Sequence, residues 1–151
     1  MCAHGDDDCP GYRFSGVQVQ PRPWIEPLRE LRDLVARCTG FRANFVLVNH
    51  YAHAGQHISW HADDERDLDP AAPIASLSLG SARDFQFRPC ARGAEPGTVT
   101  LTLEPGSLLV MHPPTNRLFQ HCLPKRSGTR AAATGARWNL TFRRMVAPPR
   151  R

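Results

Sequence analysis

The sequence predicts a mainly β domain, a sandwich or jelly roll, with one N-terminal amphipathic helix packed on a sheet. Apolar residues recur at helical spacing in one stretch only, Trp24 to Cys38. After Gly40 the chain reads as short β-rich segments. Gly- and Pro-containing turns, not helical linkers, separate them.

At 151 residues the chain is one domain by length, large enough to build a core without disulfides. No apolar run approaches the roughly 20 residues of a membrane span, so no membrane association is expected. Asp6, Asp7 and Asp8 stand where a signal peptide would have its apolar core, so secretion is not expected. Five cysteines, an odd number matching no zinc or disulfide framework, point to a reducing compartment. The net charge of +5 suits solubility and also a polyanionic partner.

Residues 1–11 are small, polar and acidic and are expected to be disordered. Tyr12 to Val19 alternates loosely as a short strand, ended by Pro21 and Pro23. In the helix, Trp24, Leu28, Leu31, Leu34, Val35 and Cys38 form the apolar stripe, Pro27 fits an early turn, and Gly40 marks the stop. Strands are expected at Asn44–Tyr51, Ile74–Leu79, Phe85–Arg88, Val99–Leu103, Ser107–Met111 and Arg137–Arg143. Arg126 to Ala136, basic and rich in Gly, Ala and Thr, is expected to be an exposed mobile loop.

The chemistry centres on Trp60-His61-Ala62-Asp63. On an extended strand, side chains two apart share a face. His61 and Asp63 therefore offer an imidazole and a carboxylate together. His121 is the best third ligand, and two histidines with one carboxylate suit Fe(II) with positions left open. His57 and His61, four apart, would suit zinc only on a helix, and their neighbours are β-type. In the last strand, alternation puts Arg137, Asn139, Thr141 and Arg143 on one face and Trp138, Leu140 and Phe142 on the other. If that polar face points inward, its two guanidiniums need an anion, and a small dicarboxylate would meet both. Asn49 and Tyr51 share a face and can hydrogen-bond a carboxylate or keto oxygen.

These motifs in order, with Pro73 to Gly80, Arg83-Asp84-Phe85 and Gly106 to Leu109, resemble the AlkB family of Fe(II)- and 2-oxoglutarate-dependent dioxygenases. The likeness runs from about Tyr12 to Met145. It is strongest to the member acting on double-stranded DNA. It implies a double-stranded β-helix (jelly roll) at 12–146 after a disordered tail at 1–11, with a C-terminal tail at 147–151.

The resemblance further implies that His61, Asp63 and His121 hold iron. Asn49, Tyr51, Arg137, Thr141 and Arg143 would bind 2-oxoglutarate. Asp64 would contact the amino edge of a damaged base, with Glu65 and Tyr12 nearby, and Phe14 would stack on that base. Arg88, Lys125, Arg126 and Arg130 would meet phosphates. The implied reaction uses O2 and 2-oxoglutarate to hydroxylate the N-methyl carbon of 1-methyladenine or 3-methylcytosine in DNA. It yields succinate, CO2 and formaldehyde, carried out by a monomer in the nucleus.

Nothing in residues 1–11 resembles the wedge hairpin of the duplex-specific member, and the loop at 89–97 is short. The chain therefore reads as shortened, with better repair of single strands than of intact duplex expected. Two other readings stand beside this one. A binding module with little turnover is favoured by the missing wedge. An oxygenase of protein side chains is disfavoured by Asp64-Glu65.

Overall fold

The structure, a computed structural model, describes residues 1–14, 17–91, 93–132 and 134–146, with side chains for all of these except 13, 14, 17, 18 and 130. The expected roles of the Phe14 and Arg130 side chains and the tail at 147–151 therefore lie outside the described residues.

The elements run β1 (Cys2–Gly5), β2 (Tyr12–Phe14), β3 (Val17–Val19), β4 (Arg22–Pro23), α1 (Glu26–Thr39), β5 (Phe45–Tyr51), β6 (Ile58–His61), β7 (Ile74–Gly80) and β8 (Arg83–Pro89). They continue with β9 (Val99–Leu103), β10 (Leu108–Met111), α2 (Thr115–Leu118), β11 (Phe119–Leu123), α3 (Gly128–Ala132) and β12 (Arg137–Arg143). A six-stranded sheet has the order β10-β7-β12-β5-β1-β4, a four-stranded sheet the order β6-β11-β8-β9, and β2 and β3 form a hairpin. The first two sheets enclose a cavity lined from both sides. This is the jelly roll expected from the sequence.

Helix α1 covers the outer face of the large sheet. Leu28 and Val35 pack on Val46, Val48, Ala75, Leu77, Leu140 and Phe142, all buried. Burying each such aliphatic side chain contributes about 1.5–3 kcal/mol. Pro27 occupies the first turn, where a missing N–H costs nothing. Gly40 closes the helix in the left-handed conformation (φ 69°), its N–H donating to the Ala36 carbonyl.

The fold differs from the sequence expectation at several segments: Tyr12 to Val19, expected to be one short strand, forms the paired strands β2 and β3, and β6, α2 and β11 are additional elements. Residues 2–5, expected to be disordered, form β1, paired antiparallel with β5 and parallel with β4. β1 pairs with β5 along its whole length, with Ala3 buried at 2% exposure. Asp6, the first residue of the acidic run that suggested disorder, anchors the helix instead. Trp24 Nε1 donates to Asp6 Oδ1 at 2.7 Å, and Arg32 reaches the same oxygen at 3.6 Å. Within 126–136, expected to be a mobile loop, Gly128–Ala132 forms α3.

Candidate metal centre

β6 and β11 are antiparallel neighbours, and their register sets His61 directly opposite His121, with ring centroids 4.3 Å apart. The chain leaves the ladder after His61, and Asp63 folds back beneath the pair. The ligand atoms of His61, Asp63 and His121 all lie within 4.8 Å of one another. Both Nε2 atoms face Asp63 Oδ1, at 3.7 Å from His61 and 3.9 Å from His121.

The donor set fits a metal. Ligands of one ion at bond lengths of 2.0–2.2 Å and right angles stand about 3 Å apart, so a small contraction completes the site. Asp63 Oδ1 is buried without a hydrogen-bond partner. The Ser59 carbonyl accepts from His61 Nδ1 at 2.8 Å, which makes Nε2 the ring nitrogen that would ligate a metal. Burial pushes His121 down to about 4, against the pull of Asp63, so it is neutral and able to ligate at neutral pH. Burial alone would raise the Asp63 carboxyl. Arg143 first, then His121 and His61, outweigh it and hold the group below the usual carboxylate range.

Alternation on β12 works as expected. Arg137, Thr141 and Arg143 point inward and are buried at 2%, 6% and 4% exposure. Leu140 and Phe142 face α1, while Trp138 stacks on His50 beyond the helix. Asn49, Tyr51, Arg137, Asn139, Thr141 and Arg143 line the same cavity as the three metal-type side chains. Arg137 Nη2 donates to Ser78 Oγ at 2.9 Å and to Asn139 Oδ1 at 2.7 Å. Its guanidinium carbon lies 5.6 Å from the Tyr51 ring centroid. Burial lowers the Arg137 pKa to about 10, with Tyr51 opposing. Arg137 Nε and Arg143 Nε and Nη1 are buried without hydrogen-bond partners. Such donors call for an anion.

Asp64 and Glu65 line a neighbouring hollow of about 350 Å³ that meets the first at Asp63 and Met111. Asp64 is exposed. Tyr12 is fully buried, and its hydroxyl donates to Glu65 Oε1 at 2.6 Å. Burial raises the Glu65 carboxyl, with the Tyr12 hydrogen bond and Arg143 opposing. Tyr12 thus supports Glu65 from behind and presents no exposed surface of its own.

Among the expected phosphate contacts, Lys125 is exposed. Arg88 is exposed too, held by Gln120 Oε1 at 2.7 Å and lying 4.4 Å over Trp60. Arg126 does not fit that role. Both Asp84 carboxylate oxygens, the Ala82 carbonyl and Thr134 Oγ1 occupy its guanidinium.

Sequence reasoning missed Ser76, Ser78 and Asn139, which buttress Arg137 and Thr141. Asn139 was visible on the inward face but not assigned. Ser76 and Ser78 alternate with Leu77 and Leu79 on β7, and that period-2 pattern was the available signal.

The comparisons agree with this geometry. Over 140 residues the chain is 47% identical to DNA oxidative demethylase ALKBH2 of Mus musculus, covering 89% of this chain and 57% of that protein. The Homo sapiens protein of the same name is 46% identical, with 89% and 52% covered. Alpha-ketoglutarate-dependent dioxygenase alkB homolog 3 of Homo sapiens is 35% identical, with 92% and 50% covered. The chain thus spans about half the length of the curated relatives it matches. The solved structure of OsALKBH1 superposes with a TM-score of 0.59 over 86% of this chain and 69% of that one, at 21% identity, a likeness of fold. The 2OG-Fe(II) oxygenase superfamily model matches residues 1–143, taking in both sheets and all three converging side chains. The chain belongs to the 2OG-Fe(II) oxygenase superfamily.

Proposed function

We propose that this chain carries out Fe(II)- and 2-oxoglutarate-dependent oxidative demethylation of N-alkylated bases in DNA, 1-methyladenine and 3-methylcytosine among them, as a monomer acting in the nucleus. One observation carries the reading. A two-histidine, one-carboxylate cluster shares a cavity with two buried arginines that hold unpaired donors. Relatives named as DNA oxidative demethylases support the choice of substrate.

In this reading His61, Asp63 and His121 hold iron. With O2 and 2-oxoglutarate, the iron supplies the oxidation of an N-methyl carbon; succinate and CO2 leave, and formaldehyde is released as the base is restored. The rest falls to the chain's own residues. Arg137, with Tyr51 and Asn49, grips one carboxylate of the co-substrate. Arg143 and Thr141 orient the other end near the metal. The sheets exclude water. Asp64 and Glu65 read the amino edge of an extruded, positively charged base, whose charge their carboxylates favour. Exposed Arg88 and Lys125 meet phosphates.

The test is formaldehyde release from a 1-methyladenine oligonucleotide supplied with Fe(II) and 2-oxoglutarate. Release by the native chain, and none by Asp63→Ala, is expected. No release from single-stranded or paired DNA would overturn the reading.

A further inference from the structure

Asp63 is buried, yet it lies past the end of β6 in a stretch without regular structure. Its peptide N–H and C=O therefore have no strand to pair with, and buried backbone groups left alone cost about 1–3 kcal/mol each. One side chain meets both. The Asp63 N–H donates to Asn116 Oδ1 at 2.9 Å, and Asn116 Nδ2 donates to the Asp63 carbonyl. A single amide thus stands in for the missing strand.

Asn116 sits on α2, which runs directly into β11 and His121. The Cys90 N–H donates to the Leu118 carbonyl at 2.8 Å and ties the end of α2 to the close of β8. Meanwhile Arg143 Nη2 holds Asp63 Oδ2 at 2.5 Å. The backbone of Asp63 is fixed by Asn116 and one carboxylate oxygen by Arg143, so Oδ1 is left aimed at the two histidines.

We propose that Asn116 is a positioning residue for the metal, coupling the Asp63 segment to the His121 strand so that the three ligands converge before any ion binds. This rests on the reading of His61, Asp63 and His121 as metal ligands. It goes beyond that reading by assigning a residue that touches neither metal nor substrate. Partners that orient ligands in this way are worth roughly 10- to 100-fold in metal affinity.

The experiment is titration of the metal-free chain with Co(II), followed by visible absorption, beside a thermal melt without metal. Asn116→Ala and the near-isosteric Asn116→Leu remove both bonds. The matched control is Asn44→Ala, since Asn44 makes the same two-bond clamp on the backbone of Met145, at 2.7 and 2.9 Å. The Asn116 variants are expected to bind Co(II) roughly 10- to 100-fold more weakly, with altered absorption and a melting point lowered no more than in Asn44→Ala. Native affinity and spectrum in a folded Asn116 variant, or an equal affinity loss in Asn44→Ala, would overturn the proposal. Should neither Asn116 variant fold, amide exchange in the native chain decides. The Asp63 N–H is expected to be protected before metal is added, and free exchange there would overturn the proposal. Failure of the native chain to bind Co(II) at all would instead remove the metal reading beneath it.

Discussion

Arg143 and Asp63 meet at 2.5 Å in a pair that is buried on both sides, each residue 4% exposed. The guanidinium takes only one carboxylate oxygen. The other faces His61 and His121. Asp63 is thus held ionised by one inner strand of the large sheet while it serves the small sheet. That connection makes the two arginines of β12 separable by experiment.

Arg137 has no contact with the metal-type side chains, whereas Arg143 holds one of them. Lysine keeps the charge but loses the planar fork. Arg137→Lys is expected to weaken 2-oxoglutarate binding about 10- to 100-fold, on the order of 1.4–2.7 kcal/mol, with metal affinity unchanged. Arg143→Lys is expected to weaken both. Calorimetric titration of each ligand checks this, and equal profiles for the two variants would contradict it.

His121 titrates near 4 in the folded chain, against about 6.5 when unfolded. Between those values the unfolded chain binds more protons, so the metal-free protein loses stability as the pH falls through that window. Asp63, held low, adds a loss of the same sign as the pH drops further. Urea melts at pH 7 and pH 5 should differ by an amount on the order of 2 kcal/mol. His121→Gln should shrink that difference.

Tyr12→Phe removes the hydroxyl that donates to Glu65 Oε1, while Glu65 Oε2 is already buried without a partner. A stability loss of about 1–3 kcal/mol is expected. The Glu65 carboxyl should rise further, because a bond that lowers it is gone. Chemical denaturation measures the first effect and carboxyl NMR titration the second.

Gly80 ends β7 at φ +85°, and a Cβ there would lie 2.4 Å from the Ala136 carbonyl oxygen, beside Arg137. Gly80→Ala is expected to cost more than about 2 kcal/mol and to weaken 2-oxoglutarate binding. An unchanged melting point would show that the 136–137 backbone yields freely.

Periodicity made much of this architecture legible. The inward face of β12 was readable because a strand has a period of two, and α1 because its stripe and its Gly40 stop agree. What escaped depends on contacts far apart in sequence. β1 looked like a tail because small residues and acids resemble disorder, and only β5 and Trp24 give them partners. Arg126 looked like a phosphate contact because no local pattern shows that Asp84, 42 residues earlier, claims it. Asn116 was hidden just after Pro113 and Pro114, since nothing nearby marks a side chain that completes a backbone 53 residues away.

His61, Asp63 and His121 together would hold one metal between the sheets. Anaerobic titration of the metal-free chain with Fe(II) tests this most directly, with the native chain compared with Asp63→Ala and His121→Ala. One tightly bound Fe(II) per native chain, lost in both variants while their folds persist, is the expected result. Undiminished Fe(II) binding in either variant would contradict it.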